Sequence, residues 1–295
     1  MKIRLAENFR AVFYAPFYAA QALGCFAREG LTVELVASAT PGDAVPRVLD
    51  GEIDLTWGGP MRVMQAHDRD PASPLVCFGE VVARDPFCLI GRPGIDSFSV
   101  PDLARLRFAT VSEVPTPWMC LQHDLRLAGL DPDRLERVRD RTMAQNIAAL
   151  RERSIDVVQV FEPFVSTALE EGIGKIVYAA STRGPCVYTS FIASRARIAR
   201  DPQAFAAVRR GLAAMQAWLA ADDGSALAAA TSAYFADVAP ERLARALRRY
   251  HAAGLWAAAP EMSREGFARL AESFCSGGVL SRPPRFEDCV EASLG

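Results

Sequence analysis

Aromatic rings and small polar groups that follow predicted strands are the side chains best suited to chemistry here, and that chemistry is noncovalent recognition. Aromatic faces bind planar or apolar molecules by offset stacking, worth about 0.5–1.5 kcal/mol per pair beyond the buried area. We expect Trp57 and Tyr188 to stack on a ligand, and Asn8 and Glu162 to fix its orientation. The candidate ligand-binding residues are Asn8, Phe13, Tyr14, Trp57, Gly58, Gly59, Ser112, Thr116, Trp118, Gln159, Glu162 and Tyr188.

The segment Gly51–Pro60 contains the densest part of this pattern. Gly51 sits where a helix C-cap belongs, and residues 53–56 alternate like a half-buried strand. The Trp-Gly-Gly that follows is predicted to leave the strand, which would bring backbone N–H groups and an aromatic face to the carboxyl edge of a sheet. In open α/β folds small ligands bind at that edge. The alternative interpretation is a helix-packing turn with a Trp in the core.

Arginines and helix N-termini are the candidate groups for binding an anion. Helix N-termini favour negative charge because their first N–H groups have no partner within the helix. The candidate arginines are Arg62, Arg84 and Arg183, and the candidate helix N-termini lie at Gly59, Thr116 and Thr142. Because Arg is abundant throughout the chain, we regard the aromatic residues as the stronger signal.

The sequence lacks a recognisable catalytic set. The three histidines are His67, His123 and His251, and we interpret them as structural or solvated. No zinc-protease, nucleophile-elbow or phosphate-loop motif is present, and no two of the seven cysteines have C-x-x-C spacing. We therefore expect no catalytic residues, no metal site and no cofactor.

Composition describes a globular protein of one large domain or two ordinary ones. The 295 residues are 51% hydrophobic and 23% charged. The net charge of −2 gives no basis for nucleic-acid binding, and no apolar run approaches the about 20 residues of a membrane span. No secretory signal precedes the strand-like residues 2–7, so we expect a cytoplasmic protein as written, or a periplasmic one if an export signal was removed.

Strand and helix patterns alternate in two sets, which predicts an α/β protein with mostly parallel sheets. Two extended crossings, near residues 84–87 and 188–192, would join the two lobes and permit a hinge that closes a cleft. The predicted first lobe comprises residues 1–85 and 188–295, and the second lobe comprises residues 86–187. We assign the helices predicted at 202–221, 224–235, 240–252 and 263–276 to the first lobe as scaffold.

Three groups of residues, taken in order along the chain, resemble one family. They are Gly51-Glu52-Ile53-Asp54 with its Trp-Gly-Gly turn, Ile155-Asp156-Val157-Val158 leading into Phe161-Glu162-Pro163-Phe164, and the tail Gly278-Val279-Leu280 with Pro283-Pro284 and Glu287-Asp288. The chain resembles an ABC-transporter substrate-binding protein of the nitrate/sulfonate/taurine class, in the branch shared with thiamine-pyrimidine precursor proteins. The resemblance covers essentially the whole chain. It implies a type II periplasmic-binding-protein fold with two lobes, two crossover strands and a C-terminal helical extension on the first lobe.

This resemblance implies a solute-binding protein of an ABC importer, and a hinge-closing binder of this kind is expected to be a monomer. Such a protein closes on a small planar, heteroaromatic or organic-anion ligand and presents it to an ABC permease. The alternative is a cytosolic enzyme of the same branch, which builds hydroxymethylpyrimidine from its own active-site histidine and pyridoxal phosphate, with iron.

Three departures from the enzyme branch favour the binding protein. That branch has a cysteine-dense run at the return crossing, where this chain has only Cys186. His67 lies about three helical turns beyond the Gly58 turn, too far to project into the cleft. No lysine of the first lobe is placed to form a Schiff base with pyridoxal phosphate.

Overall fold

The structure, a computed structural model, describes residues 1–294 and contains two five-stranded sheets. The strands are β1 (Lys2–Ala6), β2 (Thr32–Val36), β3 (Leu55–Gly58), β4 (Leu75–Val82), β5 (Cys88–Gly91), β6 (Phe108–Ala109), β7 (Arg137–Val138), β8 (Val157–Val160), β9 (Lys175–Ala179) and β10 (Thr189–Ser194). Their order is β2-β1-β3-β10-β4 in the first sheet and β7-β6-β8-β5-β9 in the second. The predicted α/β class is confirmed, but the sheets are mixed and not mostly parallel, because β10 and β5 each pair antiparallel with both of their neighbours.

Helices surround both sheets. They are α1 (Ala15–Ala22), α2 (Cys25–Arg28), α3 (Ala44–Leu49), α4 (Met61–Arg69), α5 (Thr116–Leu127), α6 (Met143–Arg151), α7 (Phe164–Glu170), α8 (Arg195–Arg200), α9 (Pro202–Leu219), α10 (Ser225–Thr231), α11 (Pro240–Ala252), α12 (Arg264–Ser276) and α13 (Phe286–Cys289). Within residues 1–294, none of these helices has both the length and the apolar character needed to cross a bilayer.

The chain passes between the two sheets twice, and the two crossings run side by side. The N–H of Cys186 donates to the Ala83 carbonyl, and the N–H of Tyr188 donates to the Val82 carbonyl, both at 2.8 Å. Adjacent crossings of this kind can absorb a hinge rotation between lobes. The predicted boundaries at 85/86 and 187/188 fall within these crossings, and we use them to define the first and second lobes.

β3 includes two residues that the sequence pattern placed in a turn. The predicted strand covered residues 53–56, whereas β3 covers Leu55–Gly58. The extension follows from pairing with β10, in which Phe191 lies opposite Trp57 and Ser190 lies opposite Gly58. Because side chains alternate along a strand, Trp57 lies on the same face as Leu55 and points into the core.

The C-terminal helices pack on the first lobe and also reach the second. α9 and α10 pack against α1, and α9 also contacts α2. α11 packs against α7 and α12 packs against α5, both in the second lobe, where Arg126 of α5 donates to the Ser276 hydroxyl at 3.3 Å. A rotation of one lobe relative to the other must therefore also shift these helix contacts.

A buried carboxyl group lies on β4, on the first sheet. Glu80 is 2% exposed, and its Oε2 accepts the Ser263 N–H at 2.7 Å. Its Oε1 has no hydrogen-bond partner among residues 1–294. Burial disfavours the charged carboxylate and raises the pKa of Glu80 from 4.5 to about 7.

This raised pKa predicts that Glu80→Gln is more stabilising at pH 8 than at pH 5. Between pH 4.5 and 7 the folded protein keeps a proton on Glu80 that the unfolded chain releases, so the free energy of unfolding of the wild type falls as the pH rises. The loss reaches at most about 3 kcal/mol above pH 7. Urea unfolding of both proteins at pH 5 and pH 8 measures the difference. Glu272→Gln, at an exposed helix position, is the control, and equal pH profiles for both variants would contradict the burial argument.

Candidate ligand-binding site

A small cavity, here called the polar cavity, lies between the lobes. Its volume is about 40 Å³, which is room for about three waters at 10–15 Å³ each. It is lined by Asn8, Phe9, Phe13, Tyr14, Gly59, Met61 and Arg62 of the first lobe, by Val114, Pro115 and Thr116 of the second, and by Phe87 and Tyr188 of the crossings. The lobes are already close at this point, so only a small group of a ligand fits within the polar cavity itself.

Arg62 is the charged side chain among the residues that line the polar cavity. Among residues 1–294 its guanidinium makes no ion pair and no side-chain hydrogen bond, and the more distant Asp43 offsets its charge only in part. Burial lowers the pKa of Arg62 because the charged form loses hydration. The guanidinium lies directly against Gly42, where a Cβ atom would overlap it. The fold therefore holds a half-buried positive charge without a neutralising carboxylate.

Two helix N-termini face the same cavity. Met61, the first residue of α4, and Gly59, just before it, lie in the cavity wall, as does Thr116, the first residue of α5. In α5, Pro117 has no N–H and the Met119 N–H donates to the Pro115 carbonyl at 3.1 Å, which leaves the N–H groups of the first turn without a helical partner. Both termini add partial positive charge beside Arg62. The cavity is thus electropositive from three directions.

Neutral hydrogen-bonding groups complete the wall. The Asn8 Oδ1 accepts the Gly42 N–H at 3.0 Å, and the Asn8 Nδ2 donates to the Tyr14 hydroxyl at 3.4 Å. Burial raises the pKa of Tyr14 to about 12, so this hydroxyl stays neutral at physiological pH. The Tyr188 side chain is 6% exposed, and its hydroxyl has no partner among residues 1–294. A buried hydroxyl without a partner is costly unless a water or a ligand satisfies it.

Six of the predicted binding residues lie around the polar cavity. They are Asn8, Phe13, Tyr14, Gly59, Thr116 and Tyr188, and their contact with a ligand stays a prediction. Gly58 lies in β3 just beneath the cavity wall, where a Cβ would be 3.8 Å from the Asn8 Nδ2. Ser112 is exposed and does not line the cavity.

The expectation that Trp57 stacks on a ligand is corrected by the structure. Its indole is 1% exposed and stacks on Phe17, with ring centroids 4.6 Å apart and an interplanar angle of 11°. Tyr18 packs edge-on against it at 5.4 Å. The ring is held between β3 and α1, so it supports the cleft wall from behind.

Two residues of the second lobe are also in its interior and away from the cavity. Trp118 is in the core of that lobe, and the Arg137 guanidinium lies 3.9 Å from its ring centroid. Gln159 is 1% exposed, and its Nε2 donates to the Pro117 carbonyl at 3.0 Å. Trp118 belongs to α5 and Gln159 belongs to β8. The prediction that these two side chains face the cleft is wrong, because both point into the core of the second lobe.

Glu162 joins the two lobes and is not available to orient a ligand in the polar cavity. Its carboxylate is fully buried, is bound by the Arg249 guanidinium of α11, and accepts the Ser166 N–H at 2.9 Å. Its own N–H donates to the Tyr250 hydroxyl at 2.9 Å. Desolvation raises the pKa of Glu162 and Arg249 opposes that shift. The predicted ligand-orienting residue is therefore one half of an interlobe ion pair.

The other candidate anion-binding groups already have protein partners. Arg183 binds Asp85 and Asp124, each at 2.6 Å, and Arg84 donates to the Ser181 carbonyl at 3.0 Å. At the start of α6, the Thr142 hydroxyl caps its own helix by accepting the Gln145 N–H at 3.3 Å. Of the three candidate arginines, Arg62 is the one that lines the polar cavity.

Sequence reasoning missed several hydrophobic residues of the wall. The cavity wall includes Phe87, Met61, Val114 and Pro115, and the position of Phe87 in the first predicted crossing is a signal that could have identified it. No His, Cys, Lys, Asp or Glu lines the cavity within residues 1–294, so it offers no pair of nucleophile and base. His67 is buried outside it, with its Nε2 2.9 Å from the Leu75 carbonyl oxygen.

The interlobe ion pair predicts an unequal effect of two arginine variants of α11. Arg249→Ala leaves the buried Glu162 carboxylate without its counter-charge, and we expect the free energy of unfolding to fall by about 2 kcal/mol. Arg242→Ala is the control, because its partner Glu170 is exposed and keeps Arg245 at 2.7 Å. The control should change stability by less than about 0.5 kcal/mol. Equal losses of the free energy of unfolding in chemical denaturation would show that the Glu162–Arg249 pair stabilises the protein no more than the exposed pair does.

Comparison with known proteins places these features in a family. A family model described as NMT1/THI5 like matches residues 12–223. YtlA of Bacillus subtilis (strain 168), which is named as a candidate binding protein, is 22% identical over 99% of this chain and 88% of its own length.

Solved structures share the whole fold. The periplasmic aliphatic sulphonate binding protein SsuA from Escherichia coli has a TM-score of 0.78 at 14% identity, over 99% of this chain and 98% of its own. The desulfurization enzyme DSZB has a TM-score of 0.71 at 13% identity, over 99% and 97%. At these identities the likeness shows the fold, and it confirms the predicted two-lobe periplasmic-binding-protein architecture. The family match spans more than half of the chain, and the protein therefore belongs to the NMT1/THI5-like family.

Proposed function

We propose that this protein is the solute-binding component of an ABC importer and that it binds an organic anion in the polar cavity. The observation that carries the proposal is the Arg62 guanidinium, which is half-buried, lacks a carboxylate partner among residues 1–294, and lies between two helix N-termini. An oxyanion such as a carboxylate or sulfonate supplies the missing negative charge and accepts hydrogen bonds from all three donor groups. The protein works outside the cytoplasm, as its periplasmic structural relatives do.

An organic anion fits this site better than a neutral heteroaromatic ring. Trp57 is in the core, so one of the two residues that were predicted to stack on a heteroaromatic ligand does not reach the site. SsuA, which has the same fold, is named for binding aliphatic sulphonates, and this supports an anionic ligand class here. The donor set at Arg62 is matched to the head group of such molecules.

Closure of the lobes would complete the site. Arg62 and the α4 N-terminus belong to the first lobe, and the α5 N-terminus belongs to the second. When the cavity is empty, closure brings like partial charges together, whereas an anion between them turns that repulsion into attraction. The ligand therefore stabilises the closed conformation, which is the form that a permease would recognise.

Removal of the Arg62 charge is the first test of this proposal. For Arg62→Gln we expect the affinity for oxyanions to fall about 10- to 100-fold, because a charge-assisted hydrogen bond contributes about 1.5–3 kcal/mol. Isothermal titration calorimetry with nitrate, methanesulfonate, butanesulfonate and benzoate measures the effect. Arg69→Gln removes an equal charge from the exposed far end of the same helix and should leave the affinity within twofold. If the two variants bind alike, or if the wild type binds none of the four anions, the proposal fails.

A second test moves the Arg62 side chain without mutating it. A Cβ at position 42 would overlap the guanidinium, so Gly42→Ala should displace Arg62 and weaken anion binding at least tenfold. Gly51→Ala is a matched control, since Gly51 also has a positive φ, of 74°, but a Cβ there meets no atom within 4 Å. Both variants have a similar backbone strain, so thermal melting should show similar losses of stability. Equal anion affinities in the two variants would argue against the assigned position of Arg62.

A further inference from the structure

A much larger apolar space adjoins the polar cavity between the lobes, and we call it the apolar chamber. Its volume is about 510 Å³, against about 40 Å³ for the polar cavity. Phe9 and Val114 line both spaces, so the two lie side by side. The wall of the chamber is dominated by Phe9, Phe161, Phe164, Tyr234, Phe235 and Val238.

The aromatic walls of the chamber are fixed in place by contacts behind them. Phe9 packs edge-on against Tyr14, with ring centroids 5.2 Å apart. Tyr234 stacks on Tyr18 at 4.7 Å in the first lobe. Because these rings already have packing partners, the wall is preformed and does not have to be ordered by a ligand.

The chamber is not merely the gap between separated lobes. Phe161 of the second lobe meets Phe13 of the first, with ring centroids 5.1 Å apart and an interplanar angle of 85°. The lobes thus touch beside the chamber, and the space remains open in spite of that contact. A volume of this size suits a whole substituent of a small molecule.

The charged groups at the chamber are already bound or lie at its rim. The Glu162 carboxylate is held by Arg249 and the Ser166 N–H. Arg10 pairs with Glu7 at 2.8 Å, Glu113 is exposed and accepts the Met143 N–H at 2.9 Å, and Asp237 is exposed. The interior surface is therefore apolar, and a polar occupant would lose hydration there without gaining partners.

We propose that the apolar chamber binds the apolar substituent of the same ligand whose oxyanion head group lies beside Arg62. This inference rests on the proposed function and specifies the ligand class, which is amphipathic organic anions with an aryl or long alkyl group. Arg62 and the helix N-termini bind the head group, and the chamber selects for the size of the apolar part. Small inorganic oxyanions, which fill only the polar cavity, are poor ligands.

A homologous series of ligands tests the chamber directly. Calorimetric titration with n-alkanesulfonates from methane- to octanesulfonate, and with naphthalene-2-sulfonate, should show affinity rising two- to fourfold per methylene that enters the chamber, since a buried methylene contributes about 0.8 kcal/mol. Naphthalene-2-sulfonate should bind at least tenfold more tightly than methanesulfonate. The increase in affinity with chain length should be the same at high salt, because salt weakens the head-group contact equally for every member of the series.

A chamber-filling variant separates the chamber from the head-group site. Val238→Trp places an indole in the chamber and should weaken octanesulfonate binding at least tenfold while leaving methanesulfonate within twofold. Ala236→Trp adds the same bulk two residues earlier, at an exposed position outside the wall, and should leave the whole series unchanged. Unchanged methanesulfonate binding also shows that the variant is folded.

The outcomes distinguish this inference from the proposed function. If the affinity depends on Arg62 but does not change from methane- to octanesulfonate, the proposed role of the apolar chamber is wrong and the proposed anion site is unaffected. A rising series that Val238→Trp does not reduce places the apolar part elsewhere and also overturns the chamber. Failure of every sulfonate to bind overturns both the proposed function and the chamber that depends on it.

Discussion

The arrangement of the cleft depends on one unneutralised guanidinium. Arg62 is half-buried, its pKa is lowered by lost hydration, and no carboxylate among residues 1–294 pairs with it. Two other buried charged groups have partners of opposite charge, since Arg183 is paired with Asp85 and Asp124 and Glu162 is paired with Arg249. A positive charge that the fold leaves unmatched favours whichever state brings an anion to it. In our account the ligand is that anion, so recognition and closure of the lobes have the same electrostatic cause.

The remaining structure positions this charge and limits how it can be reached. Gly42 leaves room for the guanidinium, because a Cβ at that position would overlap it. The paired crossings let the second lobe bring the start of α5 to the cavity. α11 and α12 contact both lobes. The ion pair between Glu162 of the second lobe and Arg249 of α11 therefore opposes opening of the lobes, also while the cleft binds a ligand. The balance between these contacts and the repulsion in the empty site sets how closed the free protein is.

Local sequence patterns predicted the elements well because capping and periodicity are local. The predicted helix 240–252 has the same bounds as α11, and the predicted helix N-terminus at Thr142 is the start of α6. Long-range pairing explains the errors. β10 extends β3 through Trp57 and turns that ring into the core, and Glu162 meets Arg249 from 87 residues away. Arg62 could be identified only as one of three arginines, since what distinguishes it is the absence of a partner, which no local pattern reveals.

A crystal structure with 4-bromobenzenesulfonate bound would test the central claim most directly, because the bromine and the sulfonate mark the two ends of the ligand. Our account predicts sulfonate oxygens within hydrogen-bond distance of the Arg62 guanidinium and the first turn of α5, with the bromine anomalous peak pointing toward Phe9 and the apolar chamber. A ligand that binds between the lobes with its sulfonate in solvent, or that leaves Arg62 without an anion, would contradict it.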